Sequence, residues 1–301
     1  MRFKSLIAMT GVVAAAALLA LPAQAQTKPA AKQQMAPVCA NCHEAQWNSI
    51  DLTAHGAKND PTGGMCQSCH GDATAHIKDP KVKPADPFGK SGTAETRTAV
   101  CMTCHSGNRN LAFWTSGKHQ LNEVTCSNCH SIHGTKLAPS INKFVTTFLP
   151  NQADGCGTCH QPIRAATMKP SHHPIPEGKV KCSDCHNPHG AITPAMLKQP
   201  TINDQCYSCH ADKRGPYLWE HAPSREGCVT CHDPHGSSND RMLVAKQPAL
   251  CQRCHAPSGH PGSVYDNTQV ATSVRIFARG CVQCHSTIHG SNHPAGNRFI
   301  R

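Results

Sequence analysis

Ten copies of one pentad, Cys-x-x-Cys-His, run through this 301-residue chain and contain all 20 of its cysteines. In chain order these motifs 1 to 10 are Cys39-Cys42-His43, Cys66-Cys69-His70, Cys101-Cys104-His105, Cys126-Cys129-His130, Cys156-Cys159-His160, Cys182-Cys185-His186, Cys206-Cys209-His210, Cys228-Cys231-His232, Cys251-Cys254-His255 and Cys281-Cys284-His285. The pentad is the attachment signature of c-type haem. Its two thiols reach the two vinyl groups of one porphyrin, and the adjacent histidine becomes the proximal ligand of the iron. The sequence therefore predicts ten haem c groups.

Zinc sites and disulfides are the competing uses of so many cysteines. Paired Cys-x-x-Cys units build Cys₄ zinc sites, and an exported chain with many cysteines ordinarily forms disulfides. Neither use explains a histidine after every pair, nor the absence of any cysteine outside the motifs. Both alternatives are therefore rejected in favour of haem.

The twelve histidines outside the motifs follow a pattern of their own. Two consecutive motifs form one di-haem repeat, so that the chain holds five repeats. In each repeat one histidine lies between the two motifs and another follows the second motif. These histidines are His55 and His76 in repeat 1, His119 and His133 in repeat 2, His172 or His173 and His189 in repeat 3, His221 and His235 in repeat 4, and His260 and His289 or His293 in repeat 5.

This pattern supplies a distal ligand for every iron, so an axial methionine, which would raise the potential, is not needed. His173 is favoured over His172 because Pro174 follows it, and His289 over His293 because it starts a His-Gly step. The predicted distal ligands are His55, His76, His119, His133, His173, His189, His221, His235, His260 and His289.

Short His-x-x-His steps constrain how these ligands pair. His130 and His133 lie on one short segment, as do His232 and His235. One iron needs its two axial ligands on opposite porphyrin faces. The second histidine of each step is therefore expected to ligate a different haem, although the spacing does not say which one.

The N-terminus has the layout of a secretory signal peptide. Arg2 and Lys4 precede an apolar run, and Ala23-Gln24-Ala25 forms a small-x-small cleavage site. The competing interpretation, a membrane anchor, is disfavoured because the run is short and ends at that site. We expect a signal peptide over 1–25, a flexible leader over 26–38, an N-terminal pentahaem half over 39–165 and a C-terminal pentahaem half over 166–301.

Composition predicts the fold class. Aromatic residues make up 4% of the chain, while it holds 22 Gly and 23 Pro, which favour turns and short elements. We expect a multihaem cytochrome c of short α-helices and loops with little or no β structure, in which haems replace an apolar core. The segment from Ile77 to Thr98 is expected to be a surface loop, and Ile141 to Pro150 is the most apolar stretch after the signal.

The net charge of +11 argues less for nucleic acid than it first suggests. A basic chain commonly binds nucleic acid or anionic membrane. Ten haems would bring twenty propionates, which the basic excess would balance. No nucleic-acid partner is therefore expected.

Several longer strings resemble the MtrA/DmsE family of decahaem cytochromes over nearly the whole chain after the signal peptide. They are the runs from Cys182 to Gly190, from Tyr207 to Pro216 and from Leu218 to Pro223, and the run from His289 to Pro294. The chain is also similar to the PioA/MtoA relatives, without their long N-terminal extension. The resemblance implies an elongated, bis-His haem wire of two fused pentahaem halves.

The resemblance also implies partners and a place. In that family the cytochrome sits inside an outer-membrane β-barrel porin of the MtrB/PioB kind. It receives or delivers electrons through a periplasmic or inner-membrane cytochrome and, in some systems, a surface multihaem cytochrome. Export to the periplasm and association with the outer membrane follow from it.

We therefore expect a decahaem electron carrier between periplasm and cell exterior, for extracellular metal reduction or iron oxidation. A soluble periplasmic shuttle is the alternative. A multihaem reductase is disfavoured because it needs an open iron, often marked by Cys-x-x-Cys-Lys, and the chain has no such motif. The direction of electron flow stays open.

Overall fold

The computed structural model describes residues 36–51, 53–56, 60–130, 132–133, 152–255 and 280–300. All ten motifs fall within these ranges. The expected signal peptide, residues 26–35 of the expected leader, the apolar stretch from Ile141 to Pro150 and the histidine His260 lie outside the described residues.

Short helices make up the regular structure of this part of the chain. The α-helices are α1 (Glu44–Ile50), α2 (Gly64–His70), α3 (Thr74–Lys78), α4 (Ala94–His105), α5 (Lys118–Leu121), α6 (Cys126–Cys129), α7 (Gln152–Cys156), α8 (Gln161–Thr167), α9 (Cys182–Cys185), α10 (Ile202–Tyr207), α11 (Ala222–Glu226) and α12 (Ala249–Gln252). Short 3₁₀ helices cover Val38–Asn41, Arg109–Leu111, Ala211–Lys213, Cys228–Thr230, Asp240–Met242, Cys281–Gln283 and Gly296–Arg298.

The described residues contain no β-strand, only four isolated antiparallel bridges, such as Ser171 with Ser237 and Trp219 with Ser291. The expected fold class, a multihaem cytochrome c of short helices and loops with little β structure, is confirmed. None of the described helices is long and apolar enough to cross a membrane.

One turn of helix carries each motif. The backbone N–H of the motif histidine donates to the carbonyl of the first cysteine, for example from His43 to Cys39 and from His210 to Cys206, at 2.9 Å in both cases. This four-residue bond is that of an α-helical turn. Because residues three apart lie on the same side of such a turn, both thiols face one way, with the histidine directly after them.

The expected loop from Ile77 to Thr98 is shorter than the sequence suggested. Ile77 lies within α3, and α4 begins at Ala94. The Thr93 side chain caps α4 by accepting the backbone N–H of Thr96, and the backbone N–H of Thr93 donates in return to the Thr96 hydroxyl. This capping box satisfies the free N–H groups of the first turn and favours helix there. The loop proper therefore covers residues 79–93.

An apolar core of ordinary size is absent from the described part of the chain. Its buried hydrophobic residues are Ile50, Trp114 and Ile175. A connected cavity of about 4510 Å³ takes the place of a core, and side chains of motifs 3 to 10 line it. Three apolar side chains do not offset the conformational entropy lost when a chain of this length is ordered. The fold therefore depends on what fills the cavity.

We expect the chain made without haem attachment to lack a cooperative fold. Expression in the cytosol, away from attachment enzymes, would yield the free-thiol chain. Its far-UV circular dichroism should show little helix and its thermal scan no sigmoidal transition, whereas the haem-loaded chain should show both. A cooperative transition in the haem-free chain would contradict this account.

Candidate haem-binding sites

Nine pairs of histidine rings face each other across gaps of nearly constant width. Ring centroids lie 5.9 to 6.2 Å apart in every pair, while the interplanar angle ranges from 12° to 59°. The pairs are His43–His76, His55–His105, His70–His133, His119–His160, His130–His189, His173–His210, His186–His235, His221–His255 and His232–His289.

This geometry fits two imidazoles on opposite sides of one metal atom. A ligating nitrogen lies about 2 Å from its metal and the ring centre about 1 Å further out, which separates the two centres by about 6 Å. Rotation about the ligand axis changes the angle between the planes and leaves that distance unchanged. Rings that pack directly against each other spread over about 4.5 to 7 Å. The narrow distances combined with scattered angles therefore fit iron ligation rather than stacking.

Each pair joins one motif histidine to one histidine outside the motifs, and most pairs join different repeats. A between-motif histidine faces the first motif of the next repeat, as His55 faces His105. A trailing histidine faces the second motif of the preceding repeat, as His133 faces His70. The same two exchanges occur at all four boundaries between repeats.

Repeat 1 departs from this rule in one respect, because its trailing His76 faces His43 of its own first motif. At the other end, His285 of motif 10 places Nδ1 2.6 Å from the carbonyl of Arg298. His260, the remaining candidate for that motif, lies outside the described residues.

The structure distinguishes between the two candidate distal histidines in repeat 3 and between the two in repeat 5. His173 faces His210. His172 instead places Nδ1 on the carbonyl of Lys169 and Nε2 3.3 Å from a carboxylate oxygen of Glu177. His289 faces His232, whereas His293 accepts the backbone N–H of Ala295 through Nδ1 at 3.1 Å.

Backbone carbonyls fix the ring orientation of many of these histidines. Nδ1 lies 2.7 to 2.8 Å from a carbonyl oxygen in His76, His119, His173, His186 and His232. A carbonyl only accepts, so Nδ1 carries the proton and donates it. Nε2 is then unprotonated and free to bind a metal, which is the arrangement that second-shell bonds impose on metal-ligating histidines.

His70 differs from the rest of the paired histidines. Its Nδ1 lies 3.2 Å from Oδ1 of Asp86, a carboxylate rather than a carbonyl. Sequence reasoning missed Asp86 because nothing in the spacing of the motifs marks a residue sixteen positions after the histidine.

Burial keeps several of the non-motif histidines in the form that binds metals. Desolvation lowers the pKa of His133, His189, His235 and His289 below the ordinary value of 6.5. Their rings are therefore neutral at pH 7. Only a neutral imidazole offers its nitrogen lone pair to a metal.

The first cysteines of the two motifs lie near each other within a repeat. In each of the five repeats the charge of one of these thiols raises the pKa of the other: Cys39 with Cys66, Cys101 with Cys126, Cys156 with Cys182, Cys206 with Cys228, and Cys251 with Cys281. In the free-thiol chain, burial and then the neighbouring Cys39 raise the pKa of Cys66 to about 11.

A second set of thiols lies close across the repeat boundaries. The charges of Cys69, Cys129, Cys185 and Cys231 raise the pKa of the first cysteine of the following motif. Attachment points therefore follow one another in chain order from motif 1 to motif 10. None of the cysteines forms a disulfide, and no cluster of three or more ligand side chains in the described residues is arranged to hold a metal ion directly.

Glycines after three trailing histidines allow the backbone to approach its neighbour. Gly190, Gly236 and Gly290 have φ values of 110°, 131° and 137°. A Cβ added to Gly190 would lie 2.2 Å from the carbonyl oxygen of Phe113, and one on Gly236 would lie 2.3 Å from that of Ala166. The His-Gly step thus positions the histidine ring because only glycine fits both the angle and the space.

Comparisons with known proteins relate the chain to c-type cytochromes. Three models of known families match it: a doubled CXXCH motif at 172–215 and 221–260, a cytochrome c-type protein NrfB-like model at 66–143, and a cytochrome c554 and c-prime model at 14–71. Each doubled-motif match begins at a between-motif histidine and contains the second motif of one repeat with the first motif of the next.

Two proteins are similar over longer stretches. The multiheme cytochrome MtrA of Shewanella baltica (strain OS185) is 43% identical over 276 residues, covering 87% of this chain and 80% of that protein. The cytochrome c-type protein NrfB of Escherichia coli O6:H1 is 27% identical over 134 residues, covering 42% of this chain and 65% of that protein.

Replacing Gly190 with alanine should destabilise the haem-loaded protein and disturb the His130–His189 pair. The positive φ and the clash with Phe113 together should cost about 1–3 kcal/mol of unfolding free energy. Thermal unfolding followed in the Soret band measures this loss. Gly107→Ala is the matched control, since no atom lies within 4 Å of its added Cβ. Equal stability of the two variants would refute the role given to Gly190.

Proposed function

The chain belongs to the MtrA family of multihaem c-type cytochromes, and from this premise we propose that it carries electrons along ten bis-His haems between the periplasm and the cell exterior. Binding of haem c and electron transfer follow from the family and from the motifs. The number of haems, their ligands and the path across the outer membrane are the proposal. The nine ring pairs are the observation that carries it.

In this proposal each motif histidine is the proximal ligand and its facing partner the distal ligand. The distal set is His55, His76, His119, His133, His173, His189, His221, His235 and His289, with His260 closing the iron of motif 10. His260 is assigned because it is the one expected distal histidine that the nine described pairs do not use. Each haem would supply a one-electron redox couple, and the motifs would hold the haems in chain order.

A continuous path is supported by the order of the attachment points. The first cysteines within a repeat lie near each other, and further thiols approach across each boundary. Neighbouring haems attached at such points would lie close enough for direct electron hopping. Two histidines on each of nine irons would leave these irons no open site for a substrate, so the proposed role is that of a carrier rather than an enzyme.

The cellular setting is proposed from the family resemblance. Residues 1–25 would direct export and 26–38 would be a flexible leader, followed by pentahaem halves over 39–165 and 166–301. The proposed boundary lies inside α8, and the His130–His189 pair crosses it. An outer-membrane β-barrel porin would enclose the chain. A periplasmic or inner-membrane cytochrome would exchange electrons at one end and a surface multihaem cytochrome at the other.

Reconstitution distinguishes the conduit from a soluble periplasmic shuttle. The chain and its barrel, purified together from cell membranes, would be placed in vesicles that contain a trapped redox dye. We expect an external reductant to reduce the dye only when both proteins are present. A chain with Cys156→Ala and Cys159→Ala, which lacks the haem of motif 5, should transfer electrons far more slowly. Recovery of the chain only as a free soluble monomer would favour the shuttle.

Replacing His173 with alanine tests the ligand assignment. We expect one of ten haems to become high-spin and to bind carbon monoxide, because its iron loses the distal ligand. His172→Ala is the matched control and should leave all haems low-spin, since His172 faces Lys169 and Glu177 instead. Electron paramagnetic resonance and carbon monoxide difference spectra give the readout. A high-spin haem in His172→Ala, with all haems low-spin in His173→Ala, would instead make His172 the distal ligand.

A further inference from the structure

We propose that Asp86 lowers the reduction potential of the haem held by His70 and His133, so that this potential differs from those of the other haems along the chain. The inference rests on the ligand pairing proposed above. Among the paired histidines, His70 is the one whose Nδ1 has a carboxylate within hydrogen-bond distance in the described residues, at 3.2 Å from Oδ1 of Asp86. The nearest similar case is His235, whose Nδ1 lies 3.8 Å from Asp233, beyond hydrogen-bond range.

The carboxylate acts through the ligand ring. An N–H bonded to a full negative charge gives up more of its proton density than one bonded to a neutral carbonyl, so the imidazole becomes a more basic ligand. A more basic ligand stabilises ferric over ferrous iron. Second-shell bonds of this kind are among the protein's means of setting haem potentials. Carbonyl partners, such as Ala195 for His186 and Arg241 for His232, exert a weaker effect.

The loop of residues 79–93 holds Asp86 in this position. Oδ1 of Asp86 also accepts the backbone N–H of Phe88 at 2.9 Å, and the Phe88 ring lies 5.7 Å from the His70 ring. Pro87, which lies between Asp86 and Phe88, has its φ angle fixed by the proline ring and so restricts the conformation of the turn. These contacts fix the direction of the carboxylate in the folded protein.

Arg97 of α4 fixes the other side of this loop. Its guanidinium donates to the carbonyl of Pro87 at 3.3 Å and to that of Gly89 at 3.2 Å. Directly after His70, Gly71 has φ of 80°, and a Cβ there would lie 2.9 Å from the carbonyl of Ala85. Glycine thus permits the loop to reach the motif. Two independent features, the Arg97 contacts and Gly71, point to a built contact and not a chance approach.

The consequence for electron flow concerns the first repeat. Electrons distribute toward sites of higher potential, so a low-potential site at motif 2 is filled late as the protein is reduced. An electron that passes through motif 2 would therefore move uphill to reach it and then downhill to a haem of higher potential. The haem of motif 2 would stay oxidised while other haems already hold electrons.

Asp86→Asn in the haem-loaded chain tests the proposal. The amide keeps the shape and an acceptor oxygen but removes the charge. We expect one of the ten components in a potentiometric titration to move upward, by about 59 mV if the ferrous-to-ferric ratio at a fixed ambient potential rises tenfold. Asp86→Glu, which restores the charge, should return that component toward its original value.

Asp72→Asn is the matched control. Asp72 lies two residues after His70, but its carboxylate accepts from Thr74 and not from a ligand ring. The Asp72→Asn substitution removes one negative charge from repeat 1, as Asp86→Asn does. An equal shift in this variant, or no shift in Asp86→Asn, would overturn the proposal.

A measurement on the unaltered protein covers the case in which Asp86→Asn loses a haem. Near-infrared magnetic circular dichroism reports how basic each axial imidazole is. One of the ten low-spin bands should be displaced from the others, and ten coincident bands would refute the inference. Fewer than ten low-spin haems would instead contradict the ligand pairing on which the proposal rests.

Discussion

An iron atom that binds two imidazoles holds their rings about 6 Å apart on opposite sides of one porphyrin, and in the proposed ligand assignment the fold follows from how the chain meets that constraint. A short helical turn can supply one ring and two thiols, but it cannot place a second ring on the far side of the same haem. The second ring must come from another segment. This need explains why the described elements are short and why the pairs of histidines, rather than apolar contacts, connect them.

Two kinds of connection alternate along the chain. Within a repeat, the first cysteines of both motifs lie near each other; between repeats, two histidines cross each boundary to face a motif histidine. In the proposed ligand assignment, no inner repeat holds both ligands of its own haems. A repeat cut from the chain would then keep its attachment sites and lose its distal ligands. The match of the doubled CXXCH model, which joins the second motif of one repeat to the first of the next, covers the unit across which these ligands are exchanged.

The sequence predicted the parts of this arrangement that are local. The pentad implies its own helical turn, and the low aromatic content implies short helices without a conventional core. The sequence did not predict that Ala94 to Thr98 are helical, because the cap at Thr93 outweighs the Pro and Lys residues before it. Nor could spacing reveal that His133 faces His70, since that distance depends on how separate segments pack. Asp86 was missed for the same reason.

The first repeat departs from the exchange rule, because its trailing His76 faces His43 of its own first motif instead of a motif in another repeat. That reversal draws the loop of residues 79–93 against motifs 1 and 2, since the carbonyl of Val82 accepts the Nδ1 proton of His76 while Asp86 reaches His70. The environment of motif 2 is thus a consequence of the reversal. In the proposed pairing, an added inner repeat would leave two histidines for every iron, because each inner repeat lends one ligand forward and one backward.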